Sequence, residues 1–358
     1  MMASVLAEKA SHPLAAFGLD MLARGAARLR GDRPAISEAG PAAAASALTY
    51  RDLDRLVVAF AARAIECGLT AGDRVVVLGA TRVGAIVAIL GSLAAGLEPV
   101  IAPAHFSAGA LAFLAQSTGA TAVFGPTLFG GLDAEQLLLE GAALAPDIRV
   151  VGSLGPGVGD GMIDFSQLGL GGGGGSPARV HREEAPRIGL ALRADQRAPR
   201  AAFLTQSAIV AQALDIVAAA RMTADRTIVS TLSPASAAGL IAGPVAALLA
   251  GAPLVLFGPF DAAGLALLVD RSAPCHLIAP EAVGESLVRS GFCGSLASLA
   301  LARPVGVSAT FSARHTCPLL LLQPDVDGRL AVSTPQPLES GDFAGHSEDQ
   351  PGASASFD

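Results

Sequence analysis

The sequence predicts an α/β protein with two doubly wound lobes, and three observations carry that expectation. Short apolar runs of strand length alternate with longer helix-like stretches in both halves of the chain. A change of composition over 152–186, including the five glycines Gly171 to Gly175, interrupts the alternation once. The chain has 358 residues, too many for one small domain; 52% are hydrophobic but only 4% aromatic, with no Trp and one Tyr. Small aliphatic residues of that kind suit close packing of helices on sheets. The expected organisation is an N-terminal extension over 1–24, a first lobe over 25–151, a linker or long loop over 152–186, a second lobe over 187–335, and a disordered acidic tail over 336–358.

Taken in order, the apolar run 74–78 reads as a buried strand after the turn Ala71-Gly72-Asp73. A helix follows over 81–95, ended by Gly96. A strand over 100–102 stops at Pro103, Ser107 caps a helix running to about 118, and 121–124 is the next strand. A helix begins near Asp133, and a strand over 148–151 closes the lobe. Beyond the linker come a strand over 188–192, a helix over 206–221 and a strand over 227–232. A helix over 237–250 and a strand over 254–257 follow. The series ends with helix 262–270, strand 276–279, helix 281–290 and short strands at 319–322 and 330–332. Asp327-Gly328 marks a hairpin turn.

Several function classes fall away. The formal charge of −7 offers no basic surface for nucleic acid. Cys67, Cys275, Cys293 and Cys317 are widely spaced, which fits neither a disulfide framework nor a zinc site and points to a reducing, cytoplasmic setting. The first nine residues include Glu8 and lack a long apolar stretch, unlike a signal peptide. Residues 235–260 carry no charge and are long enough to span a bilayer, but Gly243, Pro244, Gly251 and Pro253 divide them into a buried helix and a strand, so no membrane span is expected.

Leu48-Thr49-Tyr50-Arg51-Asp52-Leu53 resembles the L-T-Y-x-E/D-L motif of adenylate-forming enzymes, the acyl-CoA synthetases and peptide-synthetase adenylation domains. Around it, Asp32 to Ile36 is similar to the family's D-R-P-A-L strand, and Gly68 to Val77 to its G-V-x-x-G-D-R-V-A-V segment. Leu93 to Gly96, with Pro103, resembles L-x-A-G-x-x-x-x-P. Further along, Leu204-Thr205-Gln206 looks like the L-T-H after the phosphate loop. Leu249 to Ala252 with Phe260-Asp261 resembles L-x-x-G-A…F-D, and Cys275-His276-Leu277 with Pro280 resembles T-H-x-x-x-V-P. The resemblance runs from about residue 25 to 295 and implies the N-terminal domain of such an enzyme, with the mobile C-terminal domain absent.

The same resemblance locates candidate sites. Its phosphate loop falls on 192–201, where a Ser/Thr/Gly-rich turn followed by Pro-Lys-Gly would wrap phosphates in backbone N–H groups. Here the loop reads Leu-Arg-Ala-Asp-Gln-Arg-Ala-Pro-Arg-Ala, without glycine or hydroxyl, and keeps only Pro199 and a positive charge at Arg200. Arg193, Arg197, Arg200 and Thr205 are the remnant cofactor-binding candidates, since guanidinium groups still attract anions. The family's P-L-F-H-x-x-G-L segment corresponds to 233–240, making Ser236 and Gly239 the acyl-pocket candidates; Ser236 also reads as a helix N-cap. His276 is expected to be packed and hydrogen-bonded, and the role of His105 is open.

No catalytic residue or metal ligand is assigned. Lys9 is the only lysine in the sequence and precedes the first motif, whereas the family places a lysine from its C-terminal domain on the forming adenylate. The expectation is therefore a non-adenylating homologue that binds an acyl or aryl carboxylate, or a protein partner. The alternative is a residual acid–CoA ligase using ATP and Mg, completed by a separate protein that supplies the C-terminal domain.

Overall fold

The computed structural model describes residues 18–40, 47–155, 157–166, 168, 185–192, 198–305 and 316–334. In chain order the first elements are α1 (Leu19–Arg30), β1 (Pro34–Ala39), β2 (Leu48–Thr49), α2 (Tyr50–Glu66), β3 (Arg74–Leu78), α3 (Val83–Ala94), β4 (Glu98–Ala102) and α4 (Ala108–Thr118). Then come β5 (Ala120–Gly125), the small hairpin β6 (Leu128–Phe129) and β7 (Leu132–Asp133), α5 (Ala134–Ala143), β8 (Val150–Ser153) and β9 (Ile163–Asp164). The second half holds β10 (Ile188–Leu192), β11 (Arg200–Leu204), α6 (Gln206–Ala220), β12 (Ile228–Ser230), α7 (Ala237–Leu240), α8 (Ala246–Ala250), β13 (Leu254–Phe257) and α9 (Ala262–Ser272). Last are β14 (Cys275–Pro280), α10 (Gly284–Arg289), β15 (Leu296–Ala302), β16 (Leu319–Pro324) and β17 (Leu330–Ser333).

Two large sheets result. One has the order β11-β10-β4-β3-β5-β8-β9, the other β17-β16-β15-β14-β12-β13-β1-β2. Pairing is parallel inside both sheets and antiparallel at β10–β11, β16–β17 and β1–β2, so the antiparallel strands lie towards the edges. Burial follows the alternation of the strands. Val75 and Val77 of β3 face a core shared with α2 and α3, whereas Val76 and Leu78 face α4 and α5. In the second sheet Ile228 joins the shared core, while Val229 turns towards α9 and α10. The layers therefore run helix, sheet, helix, sheet, helix, with the central helices covered on both sides.

Strand sharing cuts across the ranges expected from sequence. β1 and β2, from the first half, complete the second sheet, whereas β10 and β11, from beyond the linker, complete the first. The boundary expected between 24 and 25 falls inside α1. β9 forms within the 152–186 stretch, pairing with β8. The five glycines and the tail over 336–358 lie outside the described residues.

Local chemistry accounts for several elements. In the L-T-Y-R-D-L stretch, Thr49 and Asp52 form a capping box: the Asp52 N–H donates to Thr49 Oγ1 at 3.1 Å, and the Thr49 N–H to Asp52 Oδ2 at 3.1 Å. Ser107, Asp133, Thr205 and Asp261 cap α4, α5, α6 and α9 more simply, each side chain accepting one orphan helix N–H. The helix expected over 237–250 is not continuous. Pro244 has no N–H to donate, and Ile241–Val245 widens into a π-type turn between α7 and α8. Among the described residues no helix is long and apolar enough to cross a membrane.

Tyr50, the only tyrosine, is buried, and its hydroxyl donates to the Ala252 carbonyl at 3.0 Å, with the Ala247 carbonyl at 3.3 Å. Burial pushes its phenol up to about 12. Tyr50→Phe removes the hydroxyl donor from the Ala252 carbonyl and is expected to cost about 1–2 kcal/mol in urea denaturation. An unchanged midpoint would show that the hydroxyl contributes nothing.

Candidate functional site

In each sheet one parallel strand is followed by strands laid down first on one side of it and then on the other. β3 lies between β4 and β5, and β12 lies between β13 and β14, so each marks a topological switch point at its C-terminal end. Such points leave a crevice where ligands bind in open parallel sheets. Here the two crevices meet. The Ser233 hydroxyl, just after β12, donates to the carbonyl of Gly79, just after β3, and accepts the Ala235 N–H at 3.1 Å. A side chain at Gly79 would come within 2.8 Å of the Ala235 nitrogen and 2.9 Å of Ile101, so glycine is required for this approach.

A cavity of about 310 Å³ opens at that seam. Gly79, Pro103, Ala104 and His105 line it from the first sheet's strand ends, with Leu190, Ala191 and Leu192 of β10. Ser233, Ala235, Ser236 and Ala237 form the opposite wall, and Phe129, Val305, Pro324 and Gly328 complete it. Among these residues there is no acid, lysine or arginine. The ring of His105 stands edge-on to Phe106, with centroids 6.4 Å apart. The volume is at the lower end of ordinary small-molecule sites, and its lining is mostly apolar, as such sites are.

In two charged pairs beside the seam, each partner is engaged with the other. The Glu38 carboxylate, on β1, accepts the Arg82 guanidinium at 2.7 Å and the Val83 N–H, at the start of α3, at 2.7 Å. The helix end that follows the switch strand β3 is thus neutralised by the protein's own carboxylate rather than left for an anionic ligand. At the ends of β14 and β15, Arg303 pairs with Glu281 at 2.8 Å, both nearly buried.

The sequence-derived candidates do not all converge. Ser236 lines the cavity and caps α7, its hydroxyl accepting the Gly239 N–H at 3.0 Å and donating to the Ser233 carbonyl at 3.0 Å. Gly239 is buried behind it and is absent from the cavity lining. Arg200 is exposed and pairs with the cavity-lining Leu192 across β10 and β11. Thr205 lies one full strand away, beyond Leu204, which pairs with Ile188, and its hydroxyl accepts the Ala208 N–H at 3.2 Å as a helix cap. Arg193 and Arg197 lie outside the described residues. His276 is fully buried, with Nδ1 2.8 Å from Ser298 Oγ, within the second sheet and not in the cavity lining. Sequence reasoning missed Gly79 and Ser233 as a pair, because a contact spanning 154 positions leaves no local signal.

Comparison with known proteins agrees with this architecture. Residues 22–155 match the family described as AMP-binding enzyme. The salicyl-AMP ligase / salicyl-S-ArCP synthetase of Mycobacterium tuberculosis is 29% identical over 210 residues, 58% of this chain and 36% of that protein. The apo structure of Mycobacterium smegmatis MbtA superposes with a TM-score of 0.74 at 22% identity, over 89% of this chain and 58% of that one. Acetoacetyl-CoA synthetase from Streptomyces lividans gives 0.71 at 18% identity, over 89% and 53%. A benzoate CoA ligase from Burkholderia xenovorans gives 0.68 at 17%, over 86% and 60%. The chain thus spans 53% to 60% of these three structures, and about a third of the curated relative.

Proposed function

We propose that this chain, a homologue of the adenylate-forming AMP-binding enzymes by its first lobe and its fold, binds the acyl or aryl body of a carboxylic acid in the seam cavity and does not adenylate it alone. The observation that carries this reading is the cavity of about 310 Å³ where the two switch points meet, lined among the described residues by no acid, lysine or arginine. Its walls of Ala104, Ala191, Ala235 and Ala237 leave space for a ligand, and Ser236 and His105 are polar groups in them. Two features speak for the missing adenylation step. The stretch 192–201 lacks the glycines and hydroxyls with which a backbone nest wraps phosphates, and Glu38 occupies the start of α3.

The decisive measurement is ATP–pyrophosphate exchange by the pure chain over a panel of aryl and aliphatic acids, alongside thermal shifts. An acid alone is expected to raise the melting midpoint, by about 2.7 kcal/mol of stabilisation at a hundredfold excess over Kd. ATP alone is expected to leave it unchanged, and no acid is expected to support exchange. Carboxylate-dependent exchange would overturn the non-adenylating reading. Ala237→Phe, which places a ring in the cavity, should weaken the acid by about tenfold or more, equivalent to about 1.4 kcal/mol. Unchanged affinity in a folded Ala237→Phe protein would place the ligand elsewhere.

The second reading is a ligase that uses ATP and Mg when another polypeptide supplies the remaining machinery. It is favoured by the likeness of the chain to a salicyl-AMP ligase and to the AMP-binding enzyme family over its first lobe. Exchange appearing only when a lysine-bearing partner polypeptide is added would establish it.

A further inference from the structure

A second cavity of about 310 Å³ lies between α1 and α2, away from the seam. Its α1 wall consists of Asp20, Met21, Arg24, Gly25 and Arg28, and its α2 wall of Asp54, Val57, Val58 and Ala61. Met21, Arg24, Gly25 and Arg28 are spaced i, i+3, i+4 and i+7, as are Asp54, Val57, Val58 and Ala61, so one face of each helix looks into the gap. Ala94, the last residue of α3, closes one end. The seam adjoins the opposite end of α3, about 17 Å away at 1.5 Å per residue.

The charges in this cleft face one another without closing. Among the described residues, the side chains of Arg24, Arg28 and Asp54 make no hydrogen bond or ion pair. Burial raises the pKa of Asp54, the nearby Arg24 and Arg28 charges oppose that shift, and Asp20 adds to it. Arg24 and Arg28 therefore sit close enough to be felt by the Asp54 carboxylate, but the cavity holds them apart. Gly25 widens the gap, because a Cβ there would meet nothing within 4 Å.

We propose that this cleft binds a small zwitterion of the amino-acid type. Its anionic end lies between Arg24 and Arg28, its ammonium group on Asp54, and its carbon skeleton against Met21 and Val58. Both charges of such a ligand meet an opposite charge that has no other partner among the described residues. A simple anion would leave the half-buried Asp54 carboxylate facing a like charge. The chemistry requires both ends of the ligand together.

Isothermal titration of the full chain with the twenty free α-amino acids tests this. N-acetylated acids, which keep only the anion, and amino-acid amides, which keep only the cation, serve as controls. At least one free amino acid is expected to bind below millimolar, with both blocked forms about tenfold or more weaker. Arg24→Gln and Asp54→Asn should each weaken it by about tenfold or more. Gly25→Leu fills the gap with a better helix former and should abolish binding in a protein at least as stable as the parent. Ala237→Phe, in the seam, should leave this binding intact, which separates it from the acid-binding site. The proposal is overturned if no free amino acid binds at millimolar concentration, if an acetylated acid binds as well as its parent, or if binding survives Gly25→Leu.

Discussion

Replacing Gly239 with alanine is expected to destabilise the protein by about 3 kcal/mol, roughly the upper end of what overpacking costs. The added methyl group would land on the Ser233 carbonyl, 2.7 Å from its carbon and 2.8 Å from Ser236 Oγ. Neither neighbour can retreat cheaply. The Ser233 carbonyl is backbone, and it accepts both the Ser236 N–H and the Ser236 hydroxyl, while the Ser233 hydroxyl fixes the segment to Gly79. The gain in helix propensity from glycine to alanine, about 1 kcal/mol, does not offset the clash in a helix of four residues. Ser236→Ala, which removes only the cap, should cost about 1 kcal/mol. Urea denaturation of the two variants side by side checks the ranking. If Gly239→Ala were as stable as the parent, the turn before α7 would not be packed as described. The same geometry gives Gly239 a role by packing: it lets Ser236 stand at the cavity wall.

What was legible in the sequence divides along physical lines. Parallel strands buried on both faces are continuous apolar runs, so Arg74–Leu78, Ile188–Leu192 and Leu254–Phe257 were read with the bounds they have in the fold. Helix caps were legible at Ser107 and Ser236, and so was the start of α5 near Asp133, because a short polar side chain before an apolar stretch has a local purpose. The Asp327-Gly328 turn joins β16 and β17 as expected, with Gly328 at a φ of 76°. β15 was missed because Leu-Ala-Ser-Leu-Ala-Leu-Ala contains no β-branched or aromatic residue and carries no strand preference of its own. Its place between β14 and β16 gives it that conformation.

Sheet membership was not legible either. That β1 pairs with β13, more than two hundred positions away, or that β10 joins β4 across the glycine-rich stretch, depends on long-range pairing. The site suffered from the same blindness. Thr205, grouped in sequence with the loop over 192–201, stands at the other end of β10 because the five residues of β11 intervene. The alanines that form the cavity walls look in sequence like ordinary helix and strand filler, and only the meeting of Gly79 with Ser233 gives them a common space.

The second large effect is in the pH dependence of folding, and it falls on His276. This residue is fully buried in β14, where burial is the main cause holding its pKa down at about 4; Arg226 lowers it further, and Asp225 opposes the shift. Nδ1 meets Ser298 Oγ at 2.8 Å, and Nε2 has no partner among the described residues, so nothing there would stabilise an imidazolium. Above pH 6.5 the ring is neutral in both folded and unfolded chains and contributes no pH dependence. Below 6.5 the unfolded chain takes up a proton that the folded one refuses, so stability falls as pH drops towards 4. The loss reaches about 3 kcal/mol at pH 4, since each pKa unit corresponds to about 1.36 kcal/mol. Lowered carboxylate pKa values at Asp52 and Glu98 also weaken the fold in acid, so the His276 contribution must be taken as a difference. The stability gap between the parent and His276→Gln, measured by urea denaturation, should narrow by about 2.5 kcal/mol between pH 7.5 and pH 4.5, because the variant has no imidazole to protonate. A gap that stays constant over that range would mean that the buried ring takes up its proton as readily in the folded chain as in the unfolded one.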